Sequence, residues 1–421
     1  MTQDRRPDED APREERDLFI RGGTPAFRRM SLALAAAGFA TYALLYCVQP
    51  LLPVFSADLH LAPSVSSLSL SVTTALLAVS MLVAGRLSDV RGRKPLMAIS
   101  LFAAGILTVS AAFAPNWTLL LVIRALTGVA MAGVPAVAMA YLAEEIHPRD
   151  LGAAMGLYIA GNAYGGMSGR VLSGVIADAT GSWRMVLGAL GLMGIVAAAL
   201  FAVLLPPSRR FTAEHGLSPG HLARAFAVHF RDPGLIQLFL VPFLLMGAFI
   251  ATYNYLSYRL IEPPFNLSQS LSGAIFLVYL LGGPASAWFG RLGGRHGRGR
   301  WMGIAMALML AGLALTASAN ILVTIAGIAA FTCGFFGAHS IASGWVGRRA
   351  QVARAQAASI YLFAYYAGSS LFGSLGGLFW SRFGWPGIMA LVAVLILAAM
   401  GLAYSLEARE QREMQRAEER L

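Results

Sequence analysis

The chain has 421 residues, of which only 13% are charged, and its mean hydropathy is +0.64, against about 25% charged residues in soluble domains. A soluble protein this apolar would expose large hydrophobic patches, so the composition excludes that class and indicates a polytopic membrane protein. The net charge of +11 would suit nucleic acid in a soluble chain. Here the basic residues are scattered in short connections between apolar runs, which argues against a nucleic-acid partner and fits membrane topology.

Residues 1–29 are polar and alternately charged. They contain no apolar core or cleavage site, and so read as a disordered cytoplasmic arm and not a signal peptide. Apolar runs long enough to span follow near 31–55, 65–87, 96–114, 117–143, 151–177 and 184–205. After a polar interval they resume near 235–257, 270–290, 301–318, 320–345, 356–379 and 385–405. Each holds about 20 residues, which at a rise of about 1.5 Å per residue matches the hydrocarbon core. The expected fold is all-α, with 12 transmembrane helices in two six-helix bundles over 30–205 and 234–405. A cytoplasmic linker at 206–233 joins them, and a charged cytoplasmic tail at 406–421 closes the chain. In the linker, Leu222, Phe226 and His229 recur at helical spacing beside Arg224 and Arg231, which suits a short interfacial helix or a hinge with an incidental turn. The Glu- and Arg-rich tail reads as a solvated helix that needs no partner. Cys47 and Cys333 each sit inside an apolar run, so neither a disulfide framework nor a metal site is expected, and no cofactor is implied.

With both termini placed inside, roughly 27 Lys and Arg side chains fall on the inner side and about 3 (Arg184, Arg259, Arg382) outside, a bias that sets this orientation. The remaining two, Arg124 and Arg170, lie within spans. Between the second and third runs, Gly85-Arg86-Leu87-Ser88-Asp89-Val90-Arg91-Gly92-Arg93-Lys94 carries four cations and a carboxylate. Such a cluster cannot lie in hydrocarbon and must be a tight turn at a membrane face. A degenerate copy, Gly290 to Arg298, follows with Gly294 in place of the acid. Phe39 to Tyr42 resembles Phe249 to Tyr253, and Tyr164 to Ser168 resembles Tyr366 to Ser370. Three matches in register argue for two homologous bundles. Gly85 and Gly92 would permit close helix approach and a sharp turn. Asp89 could face a helix N-terminus and pair with Arg91 or Arg93.

At these residues the chain resembles the major facilitator superfamily of secondary transporters, over nearly all of its transmembrane part. That family's signature after its second helix is Gly-x-Leu-Ala-Asp-Arg-x-Gly-Arg-Lys. This sequence supplies Gly85, Leu87, Asp89, Gly92, Arg93 and Lys94, and departs from it at Ser88 and Val90. Arg124-Ala125-Leu126-Thr127-Gly128 is similar to the family's Arg-x-x-x-Gly signature. Gly161-x-x-x-Gly165-Gly166-x-x-Gly169 is similar to the glycine-rich signature of the drug:proton antiporter branch without its proline, and Gly166 to Arg170 resembles an acriflavine-sensitivity-type subgroup. The resemblance implies a latch across the two bundles that holds the inner face closed, with Gly85, Asp89, Arg91, Gly92, Arg93 and Lys94 as the gating set. Because the second copy lacks the acid, the latch is expected to depend chiefly on Asp89.

Buried cations need counter-charges, backbone carbonyls or a wet cavity. Arg124 and Arg170 lie at similar depths in helices whose acids are confined to their ends, so they are expected either to bound a positive, water-filled cavity or to bond carbonyls exposed where helices break. Tyr42, Tyr46 and Gln49 recur at i, i+4, i+7 on helix one, and Asn254 and Tyr255 lie on one face of helix seven. Asn162, Gly166, Arg170 and Gly174 form a stripe on helix five beside Gly161, Gly165 and Gly169, small residues that favour helix contact. With Tyr361 and Tyr365 on helix eleven, these residues suggest an aromatic-lined substrate and proton pathway, although each tyrosine alone would serve equally as an anchor or packing group. His339 reads as a proton relay or as packing, and no span contains a deep carboxylate.

The expected function is secondary active transport of a small organic compound by alternating access, as proton-coupled efflux. The expected protein is a monomer in the lipid bilayer, which for a bacterial source is the inner membrane. An importer or uniporter of organic anions stays open, as does a transporter-like receptor or sensor. An enzyme would need a His, Asp, Glu or Cys cluster within the spans, and a channel a continuous polar lining. The sequence has neither.

Overall fold

The computed structural model of the chain describes residues 19–211, 224 and 226–418. Among these, every regular element is a helix, apart from one isolated bridge between Ile20 and Ile146. Helix α1 (Pro25–Tyr46) starts at a proline behind Thr24, whose hydroxyl accepts the Phe27 N–H at 3.2 Å. A capping side chain and a proline in the first turn together fix a helix start. The chain turns after Tyr46 into α2 (Leu52–Asp58), and α3 (Pro63–Ser66) leads into α4 (Leu68–Arg91). Gly92, at φ +95, allows the turn into α5 (Arg93–Ala112); few residues with a Cβ adopt that angle.

Asn116 caps α6 (Trp117–Met131), which breaks before Pro135 opens α7 (Pro135–Glu145). A proline cannot continue the hydrogen-bond ladder of the preceding turn. Helices α8 (Pro148–Thr180) and α9 (Trp183–Leu204) complete the first half. The second half opens with α10 (Pro233–Ile261), capped by Asp232. Helix α11 (Gln269–Ala274) passes through a 3-10 stretch, Ile275–Leu281, into α12 (Gly282–His296). Pro284 removes the N–H that would bond Leu280, which helps explain the tightened turn there. Gly297, at φ +100, turns the chain into α13 (Arg298–Leu315), followed by α14 (Ile321–Arg349) and α15 (Arg354–Glu418). Helix α15 bends at Gly384, where φ is 60 and ψ −148.

Eight of these stretches are long and apolar enough to cross a membrane on hydropathy alone. The last is two helices merged across Gly384, and α6 with α7, α8 and α13 complete a set of twelve. Gly92 and Gly297 occupy matching turns in the two copies of the basic motif, with similar positive φ. The glycines on α8 set its distance from α1. A Cβ on Gly161, Gly165 or Gly169 would run into the backbone of Ala35, Phe39 or Ala43, respectively, so the two helices meet at backbone contact distance. Gly85 differs from this expectation: no atom lies near where its Cβ would be.

The arm and linker are described in part. Ile20 donates its N–H to Glu145 and accepts that of His147, while the Gly22 N–H bonds Asp150 at 2.8 Å. Residues 1–18 lie outside the described residues, as do 212–223 and with them Leu222. Around His229 the linker forms a short 3-10 turn, Val228–Arg231. The tail is helical to Glu418, and contrary to expectation it has a partner: Glu410 and Glu413 pair with Arg349 at 3.3 Å.

Candidate functional site

The two buried arginines have different surroundings. Arg124 is fully buried and bonds only backbone carbonyls: Ser69 at 3.1 Å, Leu44 at 3.2 Å and Leu45 at 3.0 Å. The last-turn carbonyls of a helix have no intrahelical partner, and α1 ends at Tyr46, where the Gln49 N–H bonds Tyr46 and leaves Leu45 free. Of the two readings open from sequence, Arg124 follows the one in which broken-helix carbonyls hold the charge.

Arg170 is also buried. Its Nε donates to Gln49 Oε1 at 2.6 Å and one Nη donates to the Gly166 carbonyl at 2.7 Å. Its guanidinium carbon lies over three rings, Tyr46 at 4.0 Å, Tyr279 at 4.7 Å and Phe276 at 5.0 Å. Phe276 and Tyr279 belong to the 3-10 stretch, where residues three apart point the same way, so both rings reach one cation. Among the described residues, Arg170 has no ion pair.

Gln49 links the halves. Its Nε2 donates to Asn254 Oδ1 at 2.7 Å, and Asn254 lies against the Gly373 carbonyl at 3.4 Å. Tyr42 and Tyr366 share a hydroxyl hydrogen bond of 3.1 Å across the same divide. Tyr365 packs edge-on to Tyr366 and lies 5.0 Å from the His339 ring, while Tyr361 bonds His339 Nδ1 at 2.8 Å. Tyr42, Tyr46, Gln49, Arg170, Asn254, Tyr361 and Tyr365 therefore belong to one buried polar and aromatic layer. Besides Arg124, two predicted site residues lie outside it. Tyr255 bonds the Gly373 carbonyl at 2.8 Å and stacks on Tyr258 and Trp380. Asn162 faces Gly38 on α1. Sequence reasoning missed Tyr279, Phe276 and Tyr366 as site residues. A helical wheel could not assign the first two, because the chain is not α-helical there.

Beyond this layer the halves are closed on one side. Ser56 and Tyr258 share a 2.7 Å hydrogen bond, and Gly174 and Gly377 abut Gln269 and Ser64 of the opposite half. On the side of the basic motif they part around a cleft of about 410 Å³, with Gly85, Asp89 and Arg93 on one wall and Gln356, Ser359 and Leu362 on the other. Asp89 pairs with Arg93, whose Nη2 reaches Glu144 at 2.5 Å. Lys94 bonds the Leu205 carbonyl, and Arg91 is exposed. All these partners lie in the first half. Among the described residues, then, no bond from this set reaches the second half, and the cleft lies between the two walls.

Two repeated halves of membrane-spanning helices around a buried polar layer define the class of polytopic membrane transporters. The chain belongs to the Major Facilitator Superfamily, which it matches over residues 34–281 and 257–420. It is 49% identical over 385 residues to the uncharacterized MFS-type transporter YybF of Bacillus subtilis, covering 91% of this chain and 95% of that protein. It is 45% identical to the inner membrane transport protein YnfM of Escherichia coli, covering 91% of each. A crystal structure of a bacterial homolog of the human lysosomal transporter Spinster, inward-facing and unoccupied, shares the fold at a TM-score of 0.74 and 16% identity, over 92% of this chain and 96% of that one. The protein is a multi-pass membrane transporter and not an enzyme.

Proposed function

We propose that the protein is a secondary active carrier that moves a small organic compound through the Tyr42–Arg170–Tyr365 layer by alternating access, as proton-coupled export. The observation that carries this reading is the asymmetry of closure. The halves are bonded to each other at the centre and on one side, yet open on the other. A rocking motion about the central layer would exchange the two, and the polar groups there would bind the cargo. The distribution of basic residues supports a cytoplasmic cleft side, with both ends of the chain on it. The Asp89–Arg93–Glu144 cluster, with Gly85, Arg91, Gly92 and Lys94, then forms one wall of the inner gate.

Among the described residues, no Asp or Glu lies in the central layer, so the coupling proton is assigned to the His339–Tyr361 pair. An imidazole ring can both accept and donate a proton, and here its partner is a hydroxyl. The test is flux into proteoliposomes loaded with a pH-sensitive dye, with small organic acids, bases and neutral compounds added under an imposed pH gradient. The expected result is proton movement that depends on one compound class and is lost in His339→Gln, while exchange of that compound with itself persists. Binding without flux across the whole set would point to a receptor, and flux indifferent to the gradient to a uniporter.

A further inference from the structure

We propose that the central site takes a small organic anion, bound through its acid group by Arg170, and that its arrival releases the Gln49–Asn254 link between the halves. This rests on the carrier reading and adds the substrate class. Arg170 is 1% exposed, yet among the described residues it faces no carboxylate and its second Nη makes no hydrogen bond. The hydroxyl of Tyr279, in the same ring cage, is buried with no partner. Both unpaired groups can donate, and the side-chain acceptor that Arg170 does bond, Gln49 Oε1, is already engaged by Nε. Buried donors are normally paired, and a buried cation usually has a counter-charge or enough acceptors. Arg124, one helix away, shows the full set of carbonyl partners that this chain supplies to an arginine with a structural role. The groups around Arg170 match a carboxylate, sulfonate or phosphate ester on a flat apolar body, which the faces of Tyr46, Phe276 and Tyr279 would hold.

The geometry also gives binding a consequence. A carboxylate grips a guanidinium best with both oxygens, along one edge. The free Nη belongs to two edges: one joins it to Nε, the atom now bonded to Gln49, and the other to the Nη that bonds the Gly166 carbonyl, whose oxygen would repel an acid on that side. On the Nε edge a bidentate acid displaces the Gln49 amide, which also holds Asn254 across the divide at 2.7 Å. Occupancy at Arg170 and closure at Asn254 compete for one side chain, so the cargo loosens the closed side only once it is bound.

The test is thermal melting of the purified full chain in detergent with benzoate, phenylacetate, hexanoate and benzenesulfonate, each compared with its neutral amide. The expected result is a saturable rise in melting temperature with at least one acid and none with its amide. Arg170→Gln should weaken that binding at least tenfold. Gln49→Ala and Asn254→Ala should tighten it severalfold, because nothing then competes for Nε or holds Gln49 in place, and a merely structural role would not give that pattern. Should Arg170→Gln fail to fold, Arg170→Lys replaces it and should bind the acid more weakly while still preferring it to the amide. Acids acting no better than their amides, or an acid effect that survives loss of Arg170, would overturn the proposal. Failure of the carrier reading looks different: acid binds and Arg170 matters, but reconstituted vesicles show no flux.

Discussion

Arg124 and Arg170 lie in the same half of the protein, both buried, and they show that burial alone does not mark a functional cation. What separates them is how their donors are used. Arg124 spreads Nε and both Nη groups over three carbonyls from two helices and joins the end of α1 to the start of α4. Arg170 has one side-chain amide, one carbonyl of its own helix and three aromatic faces. The first arrangement engages all three nitrogens without a ligand, and the second leaves one over.

The largest effect that follows is on folding. Arg124→Met would leave the Leu45 carbonyl without a partner and the other two with weaker ones, at about 1–3 kcal/mol for a fully orphaned buried group. A total loss of about 2–4 kcal/mol is expected, read as a lower melting temperature and poor recovery of monodisperse protein. Arg124→Lys should restore little, because a single ammonium cannot reproduce the planar fork that meets carbonyls from two helices. Arg170→Gln is expected to do the reverse, keeping its melting temperature within a few degrees while flux drops at least tenfold. If both variants lost stability equally, the distinction between the two arginines would collapse.

A second contrast, between glycines, predicts a smaller effect. Gly165 lies against the backbone of Phe39, whereas Gly85 has open space where a side chain would begin. Gly165→Val should push α8 away from α1 and cost about 1–3 kcal/mol, as overpacked sites do. Gly85→Ala should leave the melting temperature unchanged.

These contrasts show what the residues alone could reveal. Membrane class, helix number and duplication were legible because each depends on composition, run length or a repeated motif, and the turn glycines Gly92 and Gly297 mark that repeat in the backbone as well. Tyr42, Tyr46, Gln49 and Arg170 could be placed together by helical periodicity. Gln49 is a partial exception, since α1 ends three residues before it and the turn carries it to Asn254. Phe276 and Tyr279 were not legible, because a 3-10 stretch changes which residues share a face. The carbonyls around Arg124 were not legible either: a sequence shows that an arginine is buried, but not which helix ends stop beside it.

The two halves also differ at the basic face, where the repeat reverses a charge. The offset that relates Gly92 to Gly297 relates Glu144 to Arg349 and Arg93 to Arg298. In the first half Arg93 therefore meets an acid, while in the second Arg298 would face another arginine. Arg349 is neutralised instead by Asp232, at 2.7 and 2.9 Å, and by Glu410 and Glu413 of the tail. Partial burial works to raise the pKa of Asp232, but the Arg349 hydrogen bonds, the Gly234 amide and the Arg349 charge together hold its carboxyl below the usual carboxylate range. A carboxylate depressed in the folded state contributes its stability above its unfolded pKa of about 3.9 and loses it as pH falls through the lower folded value. Asp232→Asn should accordingly melt below the wild type at neutral pH, and the gap should close in acid as Asp232 takes up its proton. Because the pair is partly exposed, solvent screening limits the gap to about 1 kcal/mol. A gap that stayed constant from pH 7 to pH 3 would show that Asp232 acts only as the cap of α10, through its bond to Gly234, and that the tail alone offsets the reversed charge.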